Sequence, residues 1–509
     1  MAAGLSHQAT ADATPARLYA RPVTVVELAV YALLLAVAAV AVWRRPIVAL
    51  YLFVVGLALH NAVMAALYAA GVHGATLTAI AAWKEILLLV ALTRVARDAL
   101  REGKLPFRWG VADWLAVAFA ALVVVYALIP QSALGGLADH HAVALAAKHD
   151  LVPVGAYFLG RSLVLDRATL RPLGWALLGT AAFVAVLGLI DVYAVPIGWW
   201  RTNGVVDYFH KQLGYDYHGT GVNPRAAGLP ENFVYNVGGD KPFLRRLVST
   251  FLSPLASSYL MVVALLGTAA ILRRRRAPAG IALAVVAAAG LLWTFSRSSI
   301  LAVAVGLVVL AALRRRPQEL IAAAAVVAVA FGWAHLFPKI APTGNWTKAD
   351  LVYQHSLAAQ HPSSSNAPTA ANEASLHEHW QSLKDGIRTV IHHPQGYGLG
   401  NVGQTASRTG TPLKAGESNY TEFGVELGLV GALLWIAWGL ALLVGLLRAG
   451  VHERWPAGMA AAFAAILALA IQTDVIGDPW VAYVMWAMAG ALAIRTRPKE
   501  RLVEARGPA

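Results

Sequence analysis

Long runs of apolar residues, separated by short polar or arginine-rich segments, follow one another along almost the whole chain. A helix needs about 20 predominantly apolar residues to cross a bilayer, because each residue adds about 1.5 Å along its axis. The runs that approach this length predict an all-α polytopic membrane protein with about 12–13 transmembrane helices. The predicted spans are residues 23–43, 46–71, 76–96, 111–129, 142–164, 173–195, 251–272, 279–295, 299–313, 318–337, 421–447, 457–477 and 480–495.

The composition agrees with this pattern. Hydrophobic residues make up 58% of the 509 residues and the mean hydropathy is +0.59. Charged residues make up only 13%, whereas a soluble domain carries about a quarter. The chain has no cysteine, which excludes disulfides, thiolate metal sites, covalent haem attachment and a cysteine nucleophile.

Much of the net charge of +14 lies in short arginine clusters beside apolar helices, where it orients the helices in the membrane and does not indicate nucleic-acid binding. Short basic segments such as Arg44–Arg45 and Arg314–Arg316 follow every second predicted span, and such loops lie in the cytoplasm. This places the C-terminus inside and two long loops, 196–250 and 338–420, on the extracytoplasmic face. The N-terminus is outside if the first span is real, and inside if one early span is not.

These features divide the chain into seven segments. They are a flexible tail (1–22), N-terminal transmembrane helices (23–195), a first extracytoplasmic loop (196–250), central transmembrane helices with a hairpin at Arg297 (251–337), a second extracytoplasmic loop (338–420), C-terminal transmembrane helices (421–495) and a cytoplasmic tail (496–509).

Each long loop has a distinct character. The first is rich in aromatic residues, including Tyr217. In the second, an amphipathic helix is predicted at 373–391, because one apolar stripe recurs at intervals of three and four residues. Its members are Leu376, Trp380, Leu383, Ile387 and Val390. The segment His392-His393-Pro394 ends that helix, and a glycine-rich loop around Tyr397 follows.

Several arginines lie on the face that the inside rule leaves poor in positive charge. Arg297 lies between two apolar segments, Arg245 and Arg246 precede a span, and Arg225 lies earlier in the first loop. A planar guanidinium suits phosphate oxygens, so these arginines would bind a lipid pyrophosphate. The alternatives are an Arg297 side chain that snorkels to lipid headgroups and a set of separate surface cations.

Glu417 directly precedes a long span, where it would serve as a general base or hold an acceptor hydroxyl; the alternative is a helix N-cap region. The histidines show no metal-ligand spacing such as H-E-x-x-H, and no Asp-x-Asp pair is present. The sequence therefore predicts no metal site.

Several motifs on the predicted extracytoplasmic face occur in the order typical of one family. They are the stretch from Arg246 to Pro254, Phe295-Ser296-Arg297-Ser298, Trp380, Pro394–Gly400, and Asn419-Tyr420 continuing through Gly431. Together they resemble the bacterial O-antigen ligase and O-antigen or exopolysaccharide polymerase family.

The resemblance implies a GT-C-like, metal-independent and inverting glycosyltransferase of the bacterial cytoplasmic membrane, with its active site on the extracytoplasmic face and no cofactor. It implies a donor glycan on undecaprenyl pyrophosphate, a glycan or lipid-linked acceptor and surrounding membrane lipid. Arg246 and Arg297 match the arginines expected to hold the pyrophosphate, with Arg225 and Arg245 in support. Asn419, Tyr397, Tyr217 and His393 are expected near the acceptor or glycan.

The sequence departs from the family's pattern at Ser249 and Leu255, where glycine and asparagine are more usual, and from its ligases immediately before Asn419. Ser418 stands where ligases usually have a histidine before the asparagine. Either Glu417 or a loop histidine (His377, His379, His392 or His393) would then act as the base, or no strong base is used. An acidic residue near this asparagine resembles the polymerase branch of the family. A ligase that transfers glycan to lipid A–core or another acceptor, a transporter of polyprenyl-linked glycan, and a structural scaffold remain alternatives.

Overall fold

The computed structural model describes residues 25–215, 229, 232–238, 240–271, 278–348, 350–352, 355, 359, 365, 367–370, 373–414 and 416–493. Arg225 and Tyr217, two of the predicted site residues, lie outside the described residues.

The described part of the chain is almost entirely helical. Its α-helices are α1 (Val25–Arg44), α2 (Ile47–Ala69), α3 (Gly74–Ala81), α4 (Trp83–Glu102), α5 (Val111–Leu128), α6 (His140–Ser162), α7 (Arg167–Ala194), α8 (Ile197–Thr202), α9 (Val205–Asp207), α10 (Pro254–Ile271), α11 (Pro278–Trp293), α12 (Arg297–Arg314), α13 (Pro317–Ile340), α14 (Ala374–His392), α15 (Gly403–Thr409), α16 (Asn419–Gly450), α17 (Arg454–Leu469) and α18 (Trp486–Ala493). Single π-helical turns cover Tyr208–Gln212 and Val481–Met485.

The predicted fold class is confirmed. Within the described residues, eight helices are long and apolar enough to cross a membrane: α1, α2, α5, α6, α7, α12, α13 and α16. The pair α3 and α4, bent by 41°, passes the same test as one span. Four shorter apolar helices complete the bundle, at α10, α11, α17 and Val481–Ala493.

Small residues let the central helices approach closely. α18 is buried along its whole length. Gly490 packs against the backbone of Tyr157, and Gly160 of α6 packs against the backbone of Ala487. Any side chain at either glycine would collide with the other helix. Close backbone approach of this kind is the usual way for helices to associate in a membrane, where apolar side chains gain little by leaving lipid.

A break in α16 positions the second long loop. Gly428 has φ 74° and ψ −177°, a conformation essentially restricted to glycine. The amide of Leu429 donates to the carbonyl of Pro394 at 2.8 Å, and the amide of Tyr397 donates to the carbonyl of Val425 at 2.7 Å. The loop after α14 therefore supplies partners for backbone groups that the break leaves unpaired. Residues 429–450 alone extend about 33 Å and are long enough to cross the bilayer.

A small antiparallel sheet joins the two long loops. Its strands are β1 (Val234–Tyr235), β2 (Phe243–Arg245) and β3 (Thr343–Gly344), with β2 in the centre. Tyr235 pairs with Leu244, and Leu244 pairs with Thr343. The sheet thus brings the segment before α10 together with the segment after α13. We call this side of the bundle, which carries both long loops, the loop end.

Candidate functional site

The turn between α11 and α12 holds Arg297 at the first position of α12. Phe295 in this turn has φ 51°, which is rare for a bulky residue and costs about 1–3 kcal/mol. Its ring stacks on Phe337 with 4.2 Å between centroids and meets Tyr235 edge-on at 5.0 Å. This aromatic packing maintains the strained turn and fixes the start of α12.

Arg297 already has a carboxylate partner. Its Nη2 lies 3.0 Å from Oε1 of Glu373, and its Nη1 donates to the carbonyl of Pro368 at 2.6 Å. The hydroxyl of Tyr235 donates to the same Glu373 oxygen at 3.1 Å. Glu373 is only 3% exposed, whereas the Arg297 side chain is 28% exposed. Both terminal nitrogens of the guanidinium therefore have a partner, while the side chain remains partly exposed.

Arg246 lies directly after β2 and points towards the same turn. Its Nε donates to the carbonyl of Thr294 at 2.9 Å, and its side chain is buried. Within the described part of the chain, Nε is the only guanidinium atom of Arg246 with a hydrogen-bond partner. Burial and the nearby charge of Arg297 lower the pKa of Arg246 to about 10, so the group stays cationic at neutral pH. The structure thus brings Arg246 and Arg297 together.

Arg245 points the other way, because successive residues of a strand face opposite sides. Its Nη2 lies 3.3 Å from Oδ1 of Asp191, and its Nη1 donates to the carbonyl of Val195. Trp200 donates to the same Asp191 oxygen at 2.6 Å. Arg245 therefore joins β2 to the end of α7, and the structure does not bring it together with Arg246 and Arg297.

Two of the predicted catalytic residues contact each other. Nδ1 of His379 lies 2.9 Å from Oε2 of Glu417. The hydrogen bond to Glu417 raises the pKa of His379, to which the charges of Glu378 and Glu373 also contribute, against an opposing effect of burial. An imidazole with a raised pKa is a stronger base.

A single helix carries both halves of the candidate site. Glu373 is the N-cap of α14, and its Oε2 accepts from the amide of Leu376 at 2.9 Å. His379 follows six residues later, which is about 9 Å along a helix axis. α14 therefore places the partner of Arg297 at its first turn and the His379–Glu417 pair one to two turns further on.

Asn419 lies inside the protein. Its Nδ2 donates to Oδ1 of Asp474 at 2.6 Å, and its Oδ1 accepts from the amide of Val475 at 2.9 Å. Ser418 is the N-cap of α16 and also donates to the carbonyl of Ala470 at 2.9 Å. The side chain of Asn419 is therefore fully buried, and it joins the start of α16 to the segment after α17. Its expected role near the acceptor stays a prediction.

His393 and Tyr397 form a stacked pair at the loop end, with 3.9 Å between ring centroids. Nε2 of His393 lies 2.9 Å from the carbonyl of Leu134, and Nζ of Lys414 lies 4.7 Å from the centre of the Tyr397 ring. Both rings are half-buried. One face of Tyr397 is thus covered by His393, and a cation lies near the ring.

A buried polar cluster was not predicted from the sequence. Nδ1 of His149 lies 2.8 Å from Asp150, and its Nε2 lies 3.2 Å from Asp474. Ligand-type atoms of His149, Glu422 and Asp474 lie within 4.8 Å of one another, a donor set that could hold a metal ion. A protonated imidazole between two carboxylates satisfies the same contacts without an ion. The available signal was the polar run at His149 and Asp150 inside an otherwise apolar segment.

Comparison with known protein families identifies the region that carries these groups. The family model for O-antigen ligase matches residues 282–436, from α11 into α16. Over these residues the chain is similar to the O-antigen ligase family. No curated protein matches the chain.

The O-antigen ligase region contains Arg297, Glu373, His379 and Glu417, while Arg246 lies before it. This match supports a function of the O-antigen ligase or polymerase type, carried out by a glycosyltransferase-like enzyme that acts on lipid-linked glycans. The helices show that this enzyme is a multi-pass membrane protein.

Proposed function

We propose that this chain transfers a glycan from undecaprenyl pyrophosphate to a sugar hydroxyl and acts as a polysaccharide polymerase. The observation that carries the proposal is the convergence of Arg246 and Arg297 at the loop end, beside Tyr235 and Glu373. Two guanidinium groups from separate segments make a fixed cationic site, and their planar forks suit pyrophosphate oxygens.

The two arginines would act on the leaving group. The bond from the anomeric carbon to the pyrophosphate oxygen breaks with its electron pair going to the oxygen, so negative charge grows there. Cations held in place by packing stabilise that charge without reorganising, and this is usually a large part of catalysis. Arg246 is held by the carbonyl of Thr294, and Arg297 is held by the strained turn at Phe295. Positive charge is supplied by the protein, so the proposal needs no metal ion and no cofactor.

His379 and Glu417 would supply the base. Glu417 contacts Nδ1 of His379, which orients the ring and leaves Nε2 to accept the proton of the acceptor hydroxyl. The pair compensates for Ser418, which is too weak a base to replace the histidine that ligases usually have there. Attack by the acceptor oxygen on the side opposite the pyrophosphate inverts the anomeric centre.

The arrangement of basic loops supports an active site on the extracytoplasmic face of the bacterial cytoplasmic membrane. The polyprenyl tail would lie between helices near α10–α12, and membrane lipid would surround it. Tyr397 and His393 offer aromatic surface at which sugar rings stack. Arg245 would support the site indirectly, by holding β2 against α7.

A ligase is the second candidate, because the matching family model is that of O-antigen ligase. In a ligase the same donor site would serve a different acceptor, such as lipid A–core. Ser418 stands in place of the ligase histidine, and the acidic Glu417 one position earlier favours the polymerase.

The test uses purified protein in detergent with a synthetic undecaprenyl-pyrophosphate glycan and EDTA, with products separated on a gel. A ladder of lengthening products is expected from the wild type and not from Arg297→Ala. Transfer that occurs only after lipid A–core is added would identify a ligase. An intact donor under every condition would contradict both readings and favour a transporter.

A further inference from the structure

The apolar arc of α14 is wider than the surface with which the helix contacts the protein. At 100° per residue, its apolar positions cover an arc of about 140°, from the side of Gly386 and Val390 round to Ile391. Only one half of this arc is packed. Gly386 lies against Thr421, and Val390 lies against Gly424, both at the start of α16.

The other half of the arc is exposed. Its large apolar side chains form one stripe along the helix and are exposed by 57%, 54%, 47% and 68% at Leu376, Trp380, Ile387 and Ile391. Of the other members of the stripe that the sequence predicted, Leu383 is half-buried and Val390 is buried. A stripe of this size in contact with water is costly, at about 25 cal/mol for each Å² of apolar surface.

The C-terminal end of the exposed stripe lies close to a second set of exposed apolar residues, on α16. Beyond the break at Gly428, Leu429, Val430 and Leu433 are exposed on a helix that spans the membrane. The amide of Leu429 is bonded to the carbonyl of Pro394, just after the C-terminal end of α14. α14 therefore ends at the point where the lipid-facing side chains of α16 begin.

The composition of the exposed side also fits a membrane boundary. Nζ of Lys384 lies 5.2 Å from the centre of the Trp380 ring. Tryptophan is enriched at the level of the headgroups, and a lysine beside it can extend its ammonium group towards water. The opposite face of the helix carries Gln381, Asp385 and Arg388, all exposed.

We infer that α14 is an interfacial helix that lies in the leaflet on the side of the loop end, with its exposed stripe among the lipid acyl chains. The partner is the phospholipid leaflet itself. An apolar helix face of this kind is buried about 5–10 Å into the boundary between headgroups and acyl chains. The helix would then fix Glu373 and His379 at membrane depth, but the inference does not depend on the transfer reaction.

The absence of cysteine from the chain permits a direct test. Single variants Leu376→Cys and Ile391→Cys place a nitroxide label on the stripe, and Gln381→Cys and Asp385→Cys place it on the opposite face as matched controls. All four positions are exposed, so labelling leaves the packing of α14 on α16 intact. The full-length protein is placed in nanodiscs of phosphatidylethanolamine and phosphatidylglycerol. Collision of each label with oxygen and with a water-soluble nickel chelate is measured by electron paramagnetic resonance.

Labels on the stripe are expected to gain oxygen collisions and lose nickel collisions relative to the controls. Four labels equally open to nickel would overturn the inference, because the helix would then stand in water. Stripe labels shielded from both reagents would indicate a protein partner or a second copy. Stripe labels protected from nickel only after donor is added would assign the stripe to the polyprenyl tail. Either of these last two results would also overturn the inference that the stripe lies among lipid acyl chains.

Discussion

The contact between Arg297 and Glu373 allows the catalytic role of the arginine to be separated from its structural role. Arg297→Gln removes the positive charge and the planar guanidinium. Among the described residues it leaves the carboxylate of the nearly fully buried Glu373 with Tyr235 and the amide of Leu376 as partners. An unsatisfied buried acceptor costs about 1–3 kcal/mol, and more if it is charged. Loss of one donor that stabilises a developing anion costs about 10²–10³-fold in rate.

The double variant Arg297→Gln with Glu373→Gln resolves the two effects. Removing the carboxylate removes the unpaired charge, so about 1–3 kcal/mol of stability should return relative to Arg297→Gln. The transfer rate should stay about 10²–10³-fold below that of the wild type, because the guanidinium is still absent. Donor consumption on a gel and thermal unfolding in detergent give the two readouts. If activity returns together with stability, Arg297 acts only through the fold and the reasoning is refuted.

Three further predictions concern Glu417 and the first part of α16. Glu417→Gln should lower the pKa of His379, since Glu417 raises it. A base must be unprotonated to act, so the acid limb of the profile of kcat/KM against pH should move to lower pH while the maximal rate falls; an unmoved limb would exclude His379 as the base. Gly428→Ala should destabilise the protein by about 1–3 kcal/mol in thermal unfolding, because its backbone conformation is nearly closed to other residues; an unchanged transition would contradict the break in α16. Asn419→Ala should cost about 1–3 kcal/mol by leaving Asp474 short of a partner, without a specific loss of acceptor affinity; a raised KM for acceptor at normal stability would return Asn419 to the acceptor site.

The fold could be read from the sequence because a bilayer imposes length and polarity on every span. The run at 142–164 carries three charged or titratable residues in succession, from Lys148 to Asp150, yet it forms α6 as one helix. The break at Gly428 could not be read, since a glycine in an apolar run is compatible with a continuous helix. Its backbone is set by bonds to Pro394, which only the folded chain brings near.

The candidate site was accessible to sequence reasoning only in part. Outward arginines are conspicuous because they run against the usual charge distribution, and their roles stay predictions. The opposite directions of Arg245 and Arg246 depend on a three-residue strand that is too short to recognise. Glu373 lies 76 residues from Arg297 in sequence, so no local pattern indicates the pair. The convergence of His149 with Asp474 is likewise a property of the packed helices.

The most direct test of the central claim mixes purified protein with the glycan-loaded donor and an acceptor. Mass spectrometry then measures the undecaprenyl pyrophosphate that is released. The account predicts one molecule of free undecaprenyl pyrophosphate for each glycosidic bond formed, and a loss of both products together in Arg297→Gln. A donor that crosses a liposome bilayer with its glycan still attached, and with no release of the carrier, would contradict it.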